Sequence, residues 1–500
     1  MIPRTCIAGL CVAPVILALS TALPAGEASP PGASASRASI RVLVDPRVEL
    51  LSVVFHLAGN REYNQGRIPS YVKDVDEHFS PFKDHAAIAT ARRLVKDRHV
   101  GYDAPMMLAV CLTDVTSVEM RACRDPFPLR GDSRWTPRDA TAFIKDLQSF
   151  VRATDFLGFI ERHQPLYRTA CERLEQVLRE RRIAEWFDGF FGPRPRAEFI
   201  VAVGMLNGGP CYGPSLQLAD GRQEIYCVLG AWLADAAGLP KFDASMISTV
   251  VHEFSHSYAN PLVEKHLDAL RPAGEKIFAA VQEDMRRQAY TDCKTMMGES
   301  LVRACGVRYA LAAGGAAAAA AETKSNVDRK FLWTGGLADV LGEYEAARQK
   351  YPTLDPFMPR VVEFFRDYAA QRLETDLTVV REEQRRQREA LKAKSPVIVS
   401  LVPANGAQDV DPDLPAIVVT FDRPMVKGNL AVMRGDTGTL PFAGKSAFDD
   451  SGKVLTIPVT LKPQTEYSFG LNAENFLVMR DEQGNPLVPT AVRFKTQAAR

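Results

Sequence analysis

Residues 248–262 read STVVHEFSHSYANPL, and this stretch segregates its apolar and polar residues only when wound as a helix. Met246, Ile247, Val250, Val251 and Phe254 fall on one side of a 3.6-residue wheel, with His252 and His256 about opposite. One flank can therefore be buried while the other faces a cleft. Four residues is just over one turn, so both imidazoles leave the same face and can share a metal ion. Glu253 then lies close enough to remove a proton from an attacking water. Asp243 or Ser245 offers the amino-terminal cap, and Asn260-Pro261 is expected to end the helix. The plain alternative is a helix with two surface histidines making ordinary hydrogen bonds.

His252-Glu253-Phe254-Ser255-His256 fits the zincin pattern, which needs a third ligand. A metzincin carries Gly and His farther along the same stretch, but Ala259 and Leu262 occupy those places. His266 has the wrong spacing. A glutamate from a later helix is the gluzincin solution, and Glu275, Glu283 and Glu299 are the candidates. Glu275 lacks an acidic partner one turn on, and Glu283 lies in the polar QEDMRRQ. Glu299 opens GESLVRACGVRYAL, an otherwise apolar helix, where a carboxylate needs a partner and zinc is a suitable one. It is preferred as third ligand; the alternative is an ion pair with Arg303 one turn on. Arg303 is also a candidate to orient Glu299. Donors able to steady a developing oxyanion are Tyr258, Tyr309, Arg303 and Tyr212, although each residue type more often packs or pairs structurally. The Gly-rich LNGGPCYG reads either as the border of an edge strand holding an extended peptide or as a tight turn beside a disulfide.

Compartment follows from the amino terminus and the cysteines. MIPRTCIAGLCVAPVILALSTALPAGEA has an early Arg4, an apolar run to Leu23 and small residues near Ala25 and Ala28, the pattern of a secretory signal peptide over residues 1–28. The apolar run is too interrupted for a membrane span, so a secreted or periplasmic bacterial protein is expected, with no membrane span after signal removal. Of nine cysteines, Cys6 and Cys11 would leave with the signal. Local spacing suggests disulfides Cys111–Cys123, Cys211–Cys227 and Cys293–Cys305, as an oxidising compartment allows. Cys171 is then the odd one, a half-buried thiol. The 61 basic and 60 acidic residues leave a net charge of +1, which offers nucleic acid no field to bind.

At Ser395-Pro396 the composition changes. Before it, residues 40–58 give two apolar runs broken at Asp45-Pro46, the first a strand and the second strand or helix. A mostly helical region covers 85–192, strands with Gly-rich turns cover 197–230, and amphipathic helices continue to about residue 394. The run LAAGGAAAAAAETKS is a loop or helix extension, and REEQRRQREALKAK a solvated spacer. After 395, short Val/Ile/Thr runs alternate with turn residues, as in an all-β sandwich. PANGAQDVD, IVVTFDRPM and the closing VRFKT resemble a bacterial Ig-like domain of the surface-layer type, which implies an accessory module making cell-surface or polymer contacts.

PRVELLSVVFHLAG, GYDAPMMLAV, LNGGPCYGPS, VHEFSHSYANPL and GESLVRA resemble a family of secreted bacterial proteins catalogued as a domain of unknown function and similar to gluzincin-type metallopeptidases. The resemblance spans roughly residues 40 to 375. It implies His252 and His256 as ligands, Glu253 as general base and Glu299 as third ligand. The expected fold class is α+β: a helix-rich zincin-like metallopeptidase domain over 36–394, then an Ig-like sandwich over 395–500. The expected activity is zinc-dependent hydrolysis of a peptide or protein substrate, with Zn2+ as cofactor. Two rivals stand beside it: a non-catalytic surface or binding protein with a vestigial metal site, and a zinc amidase acting on cell-wall peptides.

Overall fold

The computed structural model describes residues 40–498 apart from 126, 128–132, 180, 436–440 and 474–475. The expected signal peptide, with Cys6 and Cys11, lies outside the described residues. The chain divides into two compact units, one ending at Ser257 and the other beginning at Tyr258. Among the described residues no helix is long and apolar enough to cross a membrane.

The first unit begins with β1 (Ile40–Leu43) and α1 (Pro46–Ala58). The second apolar run is therefore a helix. Asp45 caps it by accepting the Arg47 amide at 2.9 Å, and Pro46 occupies the first turn, where its missing N–H costs nothing. Among the described residues six α-helices follow as far as Leu178: α2 (Pro69–Phe79), α3 (Ala86–Arg98), α4 (Asp103–Cys111), α5 (Pro137–Ala153), α6 (Phe156–Arg162) and α7 (Gln164–Leu178). α8 (Ile183–Phe191) then leads into β2 (Ala197–Gly204), β3 (Ser215–Gln217) and β4 (Gln223–Gly230). The sheet order is β1-β2-β4-β3, with β1, β2 and β4 parallel and β3 antiparallel to β4. β2 and β4 are nearly continuous apolar runs because both of their faces are covered. Helix α9 (Met246–Lys265) carries the histidine pair. Phe254 lies 5.0 Å, ring to ring, from Phe199 of β2 and 6.1 Å from Phe187 of α8, which anchors this helix to the sheet.

The second unit holds α10 (Leu267–Arg287), α11 (Cys293–Asp328), α12 (Thr334–Ala346), α13 (Met358–Gln371) and α14 (Leu373–Lys394). The alanine-rich run extends α11 past a break at Gly315, where φ is +72°. Residues 381–390 of α14 are exposed throughout, as a solvated spacer requires. Among the described residues seven strands follow: β5 (Ile398–Val402), β6 (Ala416–Phe421), β7 (Val432–Arg434), β8 (Ala447–Phe448), β9 (Val454–Pro458), β10 (Glu466–Leu471) and β11 (Thr490–Lys495). They form sheets ordered β5-β6-β9-β8 and β11-β10-β7. Alternate residues Ile417, Val419 and Phe421 of β6 join Leu455, Ile457, Phe469 and Phe494 in one core, an arrangement consistent with an Ig-like domain.

Two expectations are corrected. Asn260-Pro261 does not end the histidine helix, which continues to Lys265. Pro261 has no N–H for the Ser257 carbonyl, and an Arg194 Nη1 donor 3.5 Å away occupies that position instead. The three disulfides are also absent: Cys111, Cys123, Cys171, Cys211, Cys227, Cys293 and Cys305 are all free thiols. Cys293 and Cys305 sit on one helix twelve residues apart, roughly 18 Å along its axis. Tyr212 bridges Val228, so Cys211 and Cys227 stand on a diagonal, about 7–8 Å apart, rather than opposed as a disulfide needs. Cys111 closes α4 in full burial, while Cys123 pairs with Leu218. Burial pushes the Cys111 and Cys211 thiols up to about 12, which suppresses the thiolate that oxidation requires.

Glu49 is the buried charge of α1. Its carboxylate accepts the Tyr71 hydroxyl at 2.6 Å and the Met205 amide at 3.0 Å. Burial raises its pKa from the usual 4.5 to about 7, and the nearby Asp45 adds to the rise. The native chain therefore holds a proton that the unfolded chain has released over that interval. Stability is greatest below about pH 4.5 and falls as pH rises to about 7, by roughly 3 kcal/mol for this group. Glu49→Gln should raise the Tm above wild type at pH 8 and leave little difference at pH 4.5, as read by scanning calorimetry. Equal differences at both pH values would contradict this account.

Candidate metal centre

The histidine helix presents its rings side by side. The His252 and His256 imidazoles have centroids 4.9 Å apart and planes at 84°. Both are half-buried, while Met246, Ile247, Val250, Val251 and Phe254 on the other flank are buried. Asp243 accepts the Ser245 amide and hydroxyl just before the first turn. His252, His256 and Glu299 each offer one ligand atom, and all three atoms lie within 4.8 Å of one another. Ligands about 2.0–2.2 Å from a tetrahedral zinc stand roughly 3.3–3.6 Å apart, inside that span. Two neutral nitrogens and a carboxylate oxygen suit zinc well.

The other carboxylate candidates are elsewhere. Glu275 and Glu283 are solvent-facing, beside Arg271 and Arg287 respectively. His266 bonds Asp355 at 2.9 Å. Glu299 is 7% exposed, and Arg303 Nη2 lies 3.2 Å from its Oε2. Arg303 is fixed in turn. It donates to Asn326 Oδ1 at 2.8 Å and to the Tyr290 hydroxyl at 3.0 Å, and it lies 4.3 Å from the Phe331 ring centre. Burial pushes the Tyr290 hydroxyl up to about 12, and the Glu299 charge adds to this, so Tyr290 stays a neutral donor. The ion pair expected as the alternative role of Glu299 therefore coexists with its position beside the histidines.

Two close approaches set the positions of the glutamates. A Cβ on Gly298 would lie 3.1 Å from Asn260 Oδ1, so α11 meets the end of the histidine helix at a residue without a side chain. Trp333 Nε1 donates to Ser300 Oγ at 2.8 Å and steadies the same turn of α11. A Cβ on Gly213 would lie 2.4 Å from the Glu253 carbonyl oxygen and 3.0 Å from Glu253 Oε2. The LNGGPCYG loop therefore rests on Glu253, held to β4 by the paired Tyr212–Val228 backbone bonds. Tyr258 and Tyr309 are buried, the latter ten residues beyond Glu299, roughly 15 Å along α11. Tyr212 is buried too, its ring 6.4 Å from that of Tyr63. Tyr290, Asn326 and Trp333 escaped the sequence reading because no spacing ties them to the motif, and Asn260 was read there only as part of a helix stop. Gly298 and Gly213 left a trace, as small residues adjoining a candidate glutamate and a candidate tyrosine donor.

Fold and site together define a helix-rich protein with a three-ligand candidate metal centre and a carboxy-terminal Ig-like module. Residues 40–364 match the profile of the family described as Domain of unknown function (DUF4932), and the chain belongs to that family. Residues 392–496 match the bacterial Ig-like domain family. A comparison with curated proteins finds no match. Among solved structures, CopC from Methylosinus trichosporium OB3b is 14% identical, covering 21% of this chain and 96% of that one, with a TM-score of 0.17. The S-layer protein rSbsC is 16% identical over 50% of this chain and 34% of its own, with a TM-score of 0.16. The N-terminal part of SbsC is 15% identical over 53% and 61%, also at 0.16.

A double-mutant cycle measures the Glu299–Arg303 pair. With metal chelated, Arg303→Met should destabilise the chain by about 3 kcal/mol in urea, because it strands a buried carboxylate. Adding Glu299→Gln should recover part of that loss. Additive losses would mean that the two groups are not coupled.

Proposed function

We propose that the chain is an exported zinc-dependent peptidase with a zincin-like catalytic domain. The observation that carries this reading is the convergence of His252, His256 and Glu299 within 4.8 Å, with Glu253 on the same helix. Bound zinc would polarise a scissile carbonyl and acidify the attacking water. Glu253, 9% exposed, takes the water's proton and returns it to the leaving amine. Gly213 and its loop keep the Glu253 carboxylate from swinging away. Arg303 holds Glu299 in one rotamer, so the carboxylate need not be reorganised when the metal arrives. The Ig-like module carries no residue of this site and acts as an attachment domain. Export rests on the signal-like amino terminus.

A non-catalytic protein with a vestigial metal site is the reading to exclude, and Glu253 is the residue that separates the two. The purified chain should carry about one zinc, measured by mass spectrometry, and lose most of it in His252→Ala or His256→Ala. Glu253→Gln should keep zinc and fold while lowering peptide-library cleavage at least about 100-fold, the scale of lost general-base catalysis. Zinc in neither the purified nor the titrated chain would end the metal reading. Zinc without cleavage, in wild type and variant alike, would favour the vestigial site.

A further inference from the structure

A second site lies in the first unit, built from residues that the metal centre does not use. A depression of about 430 Å³ opens between the end of α1, the turn at 60–63, the end of α3 and the start of α4. Two stretches singled out in the sequence, VVFHLAG and GYDAP, supply its walls. Arg61, Arg92, Lys96 and His99 line it, and all four are exposed. Its single carboxylate, Glu62, is turned inward, where Oε1 accepts the Asn60 side-chain amide at 3.2 Å and the Tyr102 backbone amide at 3.0 Å. Asp103 next door is matched by Arg134 at 2.6 and 2.9 Å. Arg61, Arg92 and Lys96 form no ion pair among the described residues; Arg92 only donates to the Leu57 carbonyl at 3.0 Å. Two arginines and a lysine against one carboxylate leave the depression net positive.

Tyr102 stands at its rim in a costly conformation. Its backbone has φ +54° and ψ −113°, a region that glycine favours and tyrosine avoids. Two buried groups hold it there: Glu62 accepts its N–H, and the Tyr63 hydroxyl donates to its carbonyl at 2.5 Å. The result is a large aromatic ring left 60% exposed beside the cations. Strain kept in place by surrounding groups, and spent on presenting a side chain to solvent, is a mark of a binding surface.

We propose that this depression binds an anionic saccharide, with its carboxylate or phosphate held by Arg61, Arg92 and Lys96 and one sugar face laid on Tyr102. The volume is that of a small-molecule site and several times that of a lone anion. The surrounding elements are helix ends, so there is no strand edge on which a peptide could add main-chain bonds. Guanidinium groups suit carboxylate and phosphate oxygens, and an exposed tyrosine offers an apolar face with a polar tip.

The test uses the mature chain and calorimetric titration with trigalacturonate, with maltotriose, inorganic phosphate and tetraglutamate as comparisons. Trigalacturonate should bind and weaken at least tenfold between 50 and 500 mM salt. Arg61→Ala with Lys96→Ala should abolish binding. Tyr102→Ala should weaken it about fivefold or more, and Tyr102→Phe should restore it. Tyr102→Gly should raise the Tm, by relieving the backbone, while losing affinity. His252→Ala should bind trigalacturonate as wild type does, since this site stands apart from the metal reading. Maltotriose binding as well as trigalacturonate, tetraglutamate matching it, phosphate alone accounting for the heat, or no binding at all would each overturn the proposal. So would full affinity in the Arg61/Lys96 double variant.

Discussion

A carboxylate taken out of water must be compensated, and much around the candidate centre follows from that demand on Glu299. At 7% exposure its charge is expensive unless partners surround it. Arg303 answers the charge, and Asn326, Tyr290 and Phe331 fix the guanidinium. These residues come from α11, the turn before it and the segment after it, so one buried ion orders some forty residues of chain. A metal cation beside Glu299 would share a carboxylate that already carries a positive partner. That arrangement favours an oriented ligand over a floppy one, since the rotamer is fixed before the metal binds.

The second glutamate is governed by sterics rather than charge. Glu253 is positioned by a loop packed so closely on it that a Cβ on Gly213 would lie 2.4 Å from the Glu253 carbonyl oxygen. That loop is fastened at Tyr212 to β4, and Met205, the residue just before it, donates its amide to Glu49. The parallel sheet, the buried acid of α1 and the glutamate of the histidine helix thus belong to one chain of contacts. The neutral Cys211 thiol lies within electrostatic reach of Glu253, which helps to keep it protonated. It offers no competing anion there.

The residues that were legible in the sequence share a periodicity or a composition. The histidine helix declared itself by its two flanks, and the change at Ser395 by its short β-branched runs. Glu299 was separable from Glu275 and Glu283 because an acid in an apolar helix has few ways to be stable. What failed depended on contacts across the chain. Pro261 should stop a helix by local rules, yet Arg194, sixty-seven positions earlier, supplies a donor near the carbonyl that the proline leaves open. Cysteine spacing suggested three bridges, but Cys293 and Cys305 turned out to share one long helix, and Cys211 and Cys227 stand on a strand diagonal. The ambiguous run at 46–58 was decided by its ends, Asp45-Pro46 and Gly59, rather than by its mostly apolar interior, which is buried from Val48 to Phe55.

The number of ligands bears on which kind of metal site this would be. Structural zinc is held by four protein ligands, and catalytic zinc by three with an open position. Among the described residues, the His, Cys, Asp and Glu group able to hold an ion has three members, two half-buried histidines and one buried glutamate. The seven described cysteines, the usual ligands of a structural site, all lie outside that group. A scaffold that used zinc only to hold its helices together would gain from a fourth ligand and would have no use for an acid at Glu253. Three ligands with a buried, loop-restrained glutamate beside them suit a site that leaves room for water and a means of taking its proton.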